Sequence, residues 1–128
     1  MIVLDASVLI AYLDSEDVHH ARAEMLLVQQ IDDDFGANTL TLAEVLVMPA
    51  RQGRLNAARE ALEGMEVHEL AFPVDCAVKL AQLRGSTGLK MPDCCVLLAA
   101  EDLQARVASF DDRLTDVAAG RNLVVVRD

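Results

Sequence analysis

From position 2 the chain runs Ile2-Val3-Leu4-Asp5-Ala6-Ser7-Val8-Leu9-Ile10. Three consecutive apolar residues have the pattern of a short strand buried on both faces, as in a parallel sheet. The Asp-Ala-Ser that follows opens a helix, and the apolar segment continues to Leu13. Two further runs predict strands ahead of the C-terminal end: Val67 to Leu70, and Arg106 to Ser109. Leu123-Val124-Val125-Val126 predicts a final buried strand. Between them lie helical signals. Asp17 suits an N-cap, followed by Val18, Ala21, Met25 and Val28 at helical spacing. Thr41-Leu42-Ala43-Glu44 matches a capping box, with Pro49 expected to kink or shorten that helix and Gly53 to end it. Asn56 to Glu63 is closed by Gly64. Val74, Ala77, Val78 and Ala81 mark another helix. Pro92 suits the start of a segment ending near Leu103, and Asp111 to Val117 forms a short one. Ile31 to Asn38 and Gly85 to Gly88 read as loops. Strands alternating with helices imply the α/β class with a parallel sheet, the helices dominating.

The chain has 128 residues, which the length prior makes one domain, spanning 1–128. Its apolar fraction of 53% excludes a disordered acidic tail. Aromatics are 3% and Trp is absent, so the core is built from Ala, Leu and Val. The longest apolar run, Cys94 to Ala100, is far short of the ~20 residues of a membrane span. The N-terminal stretch lacks the charged and apolar regions of a signal peptide. Cys76, Cys94 and Cys95 offer no C-x-x-C, so reduced thiols and a cytoplasmic location are expected. Eleven Lys and Arg against 21 Asp and Glu give a net charge of −10. That charge argues against simple nucleic-acid binding, which relies on cations meeting phosphates. It is unevenly spread: residues 1–50 hold nine acids and a single base, Arg22.

Ligands of a parallel α/β sheet sit beyond the carboxyl ends of its strands. Asp5 follows the first strand and Asp111 and Asp112 follow the strand at 106–109. Asp93 opens a helix and Glu44 is expected in the first turn of another. Each has a purely structural explanation. Asp5 and Asp111 suit N-caps, Glu44 the capping-box partner of Thr41, and Asp93 a partner of the helix dipole. Spacing leaves open whether the four converge. Gathered in one cleft, they would call for a cation, and hard oxygen ligands suit Mg²⁺ or Mn²⁺.

Four segments resemble the motifs of PIN-domain ribonucleases, in order and over essentially the whole chain. They are Asp5-Ala6-Ser7-Val8-Leu9-Ile10, Thr41-Leu42-Ala43-Glu44-Val45-Leu46, Met91-Pro92-Asp93-Cys94-Cys95 through Ala100, and Ala108-Ser109-Phe110-Asp111-Asp112-Arg113-Leu114. Order, spacing and length are most similar to VapC-type toxins of prokaryotic toxin–antitoxin pairs. The resemblance implies a three-layer α/β/α sandwich with a short-stranded, mostly parallel sheet. It implies that Asp5, Glu44, Asp93 and Asp111 form one acidic pocket holding Mg²⁺ or Mn²⁺ for hydrolysis of RNA phosphodiester bonds. Asp5 and Asp93 are the first choices for direct ligands, with Glu44 and Asp111 acting through water or on the nucleophile. It further implies a VapB-type antitoxin partner, a homodimer and a larger toxin–antitoxin complex. The fourth motif departs from the family in carrying Ser109 where Thr is common. The adjacent Asp112 leaves the fourth carboxylate ambiguous, although the hydroxyl-x-Asp pattern selects Asp111. Ser7 is a candidate to orient Asp5 or the phosphate.

Two other functions compete. One is a PIN module that binds a partner without catalysis, against which the four retained acids speak. The other is an aspartyl-phosphate phosphatase or receiver. It lacks the Asp-x-Asp of the former and the late Lys of the latter, since no Lys follows Lys90. Asp32-Asp33-Asp34 looks like a calcium loop, but position twelve is Ala43, so an EF-hand fails. His19 and His20 are adjacent and make no zinc pair. Cys94 and Cys95 lie in an apolar helix and suit the core. Arg51, Arg54, Arg59, Lys79, Arg84 and Lys90 suit either an RNA path or a solvated face.

Overall fold

The computed structural model describes residues 1–128. Strand β1 (Ile2–Leu4) is fully buried and passes through Asp5 into helix α1 (Ala6–Leu13). Then follow α2 (His20–Gln29), β2 (Phe35–Asn38), α3 (Thr39–Arg51), α4 (Leu55–Gly64) and β3 (Val67–Leu70). The chain continues with α5 (Ala77–Thr87), α6 (Met91–Leu103), β4 (Arg106–Ala108) and α7 (Asp112–Gly120). The strands make one sheet in the order β3-β2-β1-β4, parallel at every pair.

The period-two alternation of β1 divides the core. Ile2 and Leu4 pack with Val8, Leu9, Leu26, Leu27 and Val45 from α1, α2 and α3. Val3 packs with Leu83, Val96, Leu97 and Leu114 from α5, α6 and α7. Helices therefore cover both faces, and the fold is the three-layer α/β/α sandwich that the family resemblance implied. Each fully buried Leu or Val side chain contributes about 1.5–3 kcal/mol over an exposed one. In α6 every residue from Cys94 to Ala100 is buried, because this helix lies against the middle of the sheet and is flanked by α3 and α5.

Several local expectations fail. Asp17 does not cap α2, which begins at His20 and leaves Val18, Met25 and Val28 exposed, and Val74 lies exposed ahead of α5. Ile31 to Asn38 is not all loop: its second half is β2, buried throughout. Gly36 and Asn38 look like turn residues, but glycine is there for close approach. A Cβ at Gly36 would lie 2.8 Å from Leu70 Cδ1 and 3.1 Å from Met1 Sδ. Thr41 does not cap α3. Asn38 does, its side-chain oxygen accepting from the Thr41 N–H at 2.9 Å, so the helix begins at Thr39 and Pro49 lies inside it. The 85–88 loop is mostly helix. The Ser86 and Thr87 hydroxyls donate back to the Gln82 and Leu83 carbonyls, and the stop comes at Gly88 with φ +70°. Finally, Leu123–Val126 forms no regular strand. It makes a single bridge, Val107 to Val125, on the outer side of β4, and Val124 is 62% exposed.

Candidate active site

The carboxyl end of the sheet gathers the acids. Asp5 leaves β1 in the N-cap position of α1, yet its side chain caps nothing. Instead Oδ2 accepts from Ser7 Oγ at 2.8 Å and from Ser109 Oγ at 2.7 Å. Ser7 Oγ in turn accepts from the Phe110 N–H, and Ser109 Oγ from the Asp111 N–H, each at 3.0 Å. Each hydroxyl spends its one proton on Asp5 while taking a backbone donor from the β4–α7 turn. The parallel pairing of β1 with β4 makes this possible, since Leu4 lies opposite Ala108 and the Asp5 N–H donates to the Ala108 carbonyl at 2.9 Å. A buried carboxylate with two donors on one oxygen is fixed in orientation, and Oδ1 has no protein donor. The capping explanation of Asp5 therefore fails.

Asp111 does act as the α7 N-cap: its Oδ1 accepts from the Arg113 and Leu114 N–H groups at 3.0 and 3.4 Å. Oδ2 has no such bond, so capping fixes this carboxylate without using it up. Asp93 lies in the first turn of α6, as the dipole explanation requires. Glu44 lies in the second turn of α3, exposed, and is not the capping partner of Thr41.

The Asp93 carboxyl reports how these groups sit together. Its pKa is pushed up to about 6, chiefly by burial and then by the charges of Asp5, Asp111 and Glu44, while Lys90 acts the other way. Asp5, Glu44 and Asp111 thus all act on Asp93, and Lys90 offsets them only in part. No three of them close into a tight coordination cluster. The donors are all hard oxygens, without His or Cys. Mg²⁺ keeps several waters and takes only one or two direct carboxylates, so the residues fit such an ion.

Other candidates fall outside the pocket. Cys94 and Cys95 are buried, and burial pushes the Cys95 thiol up to about 11, which makes it inert. Asp33 is paired with Arg106 at 2.8 Å and with the Met1 amino group at 3.1 Å, as a structural tie and not a calcium ligand. His20 contacts the Ala11 carbonyl and Glu24, while His19 lies against Phe110. Of the six cations suggested for an RNA path, Lys90 acts on Asp93. Arg84 is turned onto the Leu89 carbonyl and Arg59 toward Glu63. The largest surface groove, about 920 Å³ along α5 and α6, contains none of the four acids. Sequence reading gave Ser7 as a candidate but did not single out Ser109 as its counterpart. The hydroxyl two residues before Asp111 was the available signal.

A parallel α/β sheet with Asp5, Asp93 and Asp111 at the carboxyl ends of its strands and the starts of its helices is the arrangement of the PIN fold class. The PIN domain model matches residues 2–120, and the chain belongs to that family. Membership sets aside the aspartyl-phosphate alternatives. A search of curated proteins gives no match. Among solved structures, the fold is similar to a toxin–antitoxin complex from Klebsiella pneumoniae, with a TM-score of 0.78 at 23% identity, covering 98% of this chain and 97% of that one. It is similar to VapC20 of Mycobacterium tuberculosis, a sarcin-ricin loop cleaving toxin, with a TM-score of 0.79 at 15% identity over 100% of both chains. FitAcB from Neisseria gonorrhoeae gives 0.69 at 19% identity, covering 99% and 97%. No helix of the chain is long and apolar enough to cross a membrane.

Proposed function

We propose that this chain is a Mg²⁺- or Mn²⁺-dependent endoribonuclease that hydrolyses RNA phosphodiester bonds and serves as the toxin of a toxin–antitoxin pair. One observation carries the reading: Asp93, partly buried at the end of the sheet, is opposed in its ionisation by the charges of Asp5, Asp111 and Glu44, with Lys90 acting the other way. Such repulsion is tolerated where a cation is the intended guest. Family membership and the cleaving toxin among the similar structures support the same chemistry.

In this reading Asp5 and Asp93 hold the ion directly, with Glu44 and Asp111 acting through water or on the nucleophile. The ion supplies a polarised phosphate oxygen and an acidified water when bound. The remaining work falls to the chain. Ser7 and Ser109 keep Asp5 Oδ2 engaged and present Oδ1. The α7 N-terminus holds Asp111 Oδ1 and frees Oδ2 for a water. Lys90 offers a positive charge to the incoming phosphate beside Asp93.

Residues 1–128 act as a single PIN-like domain in this proposal, working in the cytoplasm. The partner is a VapB-type antitoxin, whose cationic segment suits the acidic pocket. A homodimer and a larger toxin–antitoxin complex are the assemblies expected. The test is mapping of RNA ends after brief induction of wild type beside Asp5→Asn. New ends appear only with wild type. Purified wild type that cleaves no RNA with Mg²⁺ or Mn²⁺ at any concentration makes the chain a silent binding module instead.

A further inference from the structure

A second charged cluster adjoins the acid pocket. Arg22, on α2, is the only base in the first 50 residues. Its guanidinium lies over the Phe110 ring, with Cζ 4.3 Å from the centroid. Phe110 precedes Asp111, and its N–H is bound by the Ser7 hydroxyl that also holds Asp5. Arg22 therefore lies against the residue that links Ser7 to Asp111. Its donor edge is taken by Asp128: Nε donates to Oδ2, and Nη2 to Oδ1 at 3.0 Å. His19 rests on the same ring, centroid to centroid 5.3 Å.

Three features set this pair apart from an ordinary surface ion pair. The guanidinium is stacked, so its planar fork is held in place. The two donors it gives to Asp128 are those a phosphate takes in a bidentate contact. The side chains of Arg22 and Asp128 are 42% and 29% exposed, so water and a competing anion reach them. An acidic pocket also needs cations at its rim to admit a polyanion. Lys90 supplies one from the α6 layer, and Arg22 is its counterpart from the α2 layer across the sheet.

We propose that Arg22 is a phosphate-binding residue for the RNA strand beside the pocket, with Asp128 occupying its donor edge as an intramolecular competitor that the phosphate displaces. The inference rests on the ribonuclease reading above.

The test is steady-state cleavage of a short single-stranded RNA with Mn²⁺, over a range of salt, by wild type, Arg22→Gln, Arg22→Lys, Asp128→Asn and the double variant. Arg22→Gln raises KM about 5–10-fold, the loss falling on KM more than on kcat. The slope of log KM against log salt drops by about 0.7, one phosphate contact on a single strand. Arg22→Lys keeps the charge and most of the salt slope. Asp128→Asn lowers KM about threefold in wild type and has no effect once Arg22 is Gln. If Arg22→Gln lowers the melting temperature but leaves KM and slope unchanged, the pair is a structural staple and the proposal is wrong. An equal gain from Asp128→Asn in both backgrounds also overturns it, since that is a general charge effect. If wild type does not cleave at all, the ribonuclease reading fails and takes this inference with it.

Discussion

Ser109 Oγ donates to Asp5 Oδ2 at 2.7 Å, although 104 positions separate them in the sequence. This bond joins the first motif to the fourth and fixes the carboxylate on which the site is built. Ser109→Ala removes one of the two donors to a buried carboxylate. It should cost about 1–2 kcal/mol of stability and roughly 10–100-fold in cleavage rate. Ser109→Thr keeps the hydroxyl and should retain activity. Denaturant melts and initial rates on the two variants check this; equal rates for Ala and Thr would remove the hydroxyl from the site.

Asp93 predicts opposite effects on stability and activity. Its native pKa of about 6 lies above the ordinary 3.8. Between those values the native state binds more protons than the unfolded chain, so stability falls as pH rises from about 4 through 6. Asp93→Asn removes the repelled charge. It should stabilise the metal-free protein at pH 7.5 by about 1 kcal/mol, allowing for solvent screening, while abolishing cleavage. The gain should vanish near pH 4. A destabilised Asn variant at pH 7.5 would contradict the crowding.

Metal should reverse that pH trend, because the ion needs the deprotonated carboxylate. Millimolar Mg²⁺ or Mn²⁺ raises the melting temperature at pH 7.5 and much less at pH 5. Stabilisation reaches about 2.7 kcal/mol when the ion is at 100 times its Kd. Asp5→Asn should lose the shift. Thermal melts at the two pH values decide it, and an unchanged wild-type melting temperature counts against a preformed site.

Asp33 titrates in the other direction. Arg106 and the Met1 amino group hold its pKa down at about 2, below the ordinary 3.8. The stability it contributes is present above pH 3.8 and is lost as pH falls through 2. Wild type should exceed Asp33→Asn in denaturant midpoint at pH 5, and the gap should close near pH 2. A gap that persists at pH 2 would mean the effect is not this carboxylate's charge.

Gly36 tests the sheet. Ala at this position would press on Leu70 and should cost roughly 1–3 kcal/mol through overpacking. Leu70→Ala makes room, so the double variant should be less destabilised than the sum of the singles. Additive losses would show that the contact with Leu70 is not the reason for glycine.

Much of the molecule is legible in order along the chain. The apolar run Ile2-Val3-Leu4 determines a buried strand, and the all-round apolar stretch from Cys94 to Ala100 determines a helix laid on a sheet. Pro92 and Asp111 mark helix starts by local chemistry. These features depend on residues near one another, where periodicity and backbone preference act directly. The failures share the opposite property. Gly36 and Asn38 carry turn-like identities, but the strand around them exists because β1 and β3 close on it from either side. Val124 has strand propensity and stays largely exposed because only Val125 finds a bridge partner. The site divides in the same way. Sequence order supplied the four acids, each with an adequate local explanation. Only the parallel register of β1 on β4 brought Ser109 to Asp5 and showed that Asp5 caps no helix. Burial and mutual repulsion between carboxylates act through space, and a linear pattern of residues does not contain those distances.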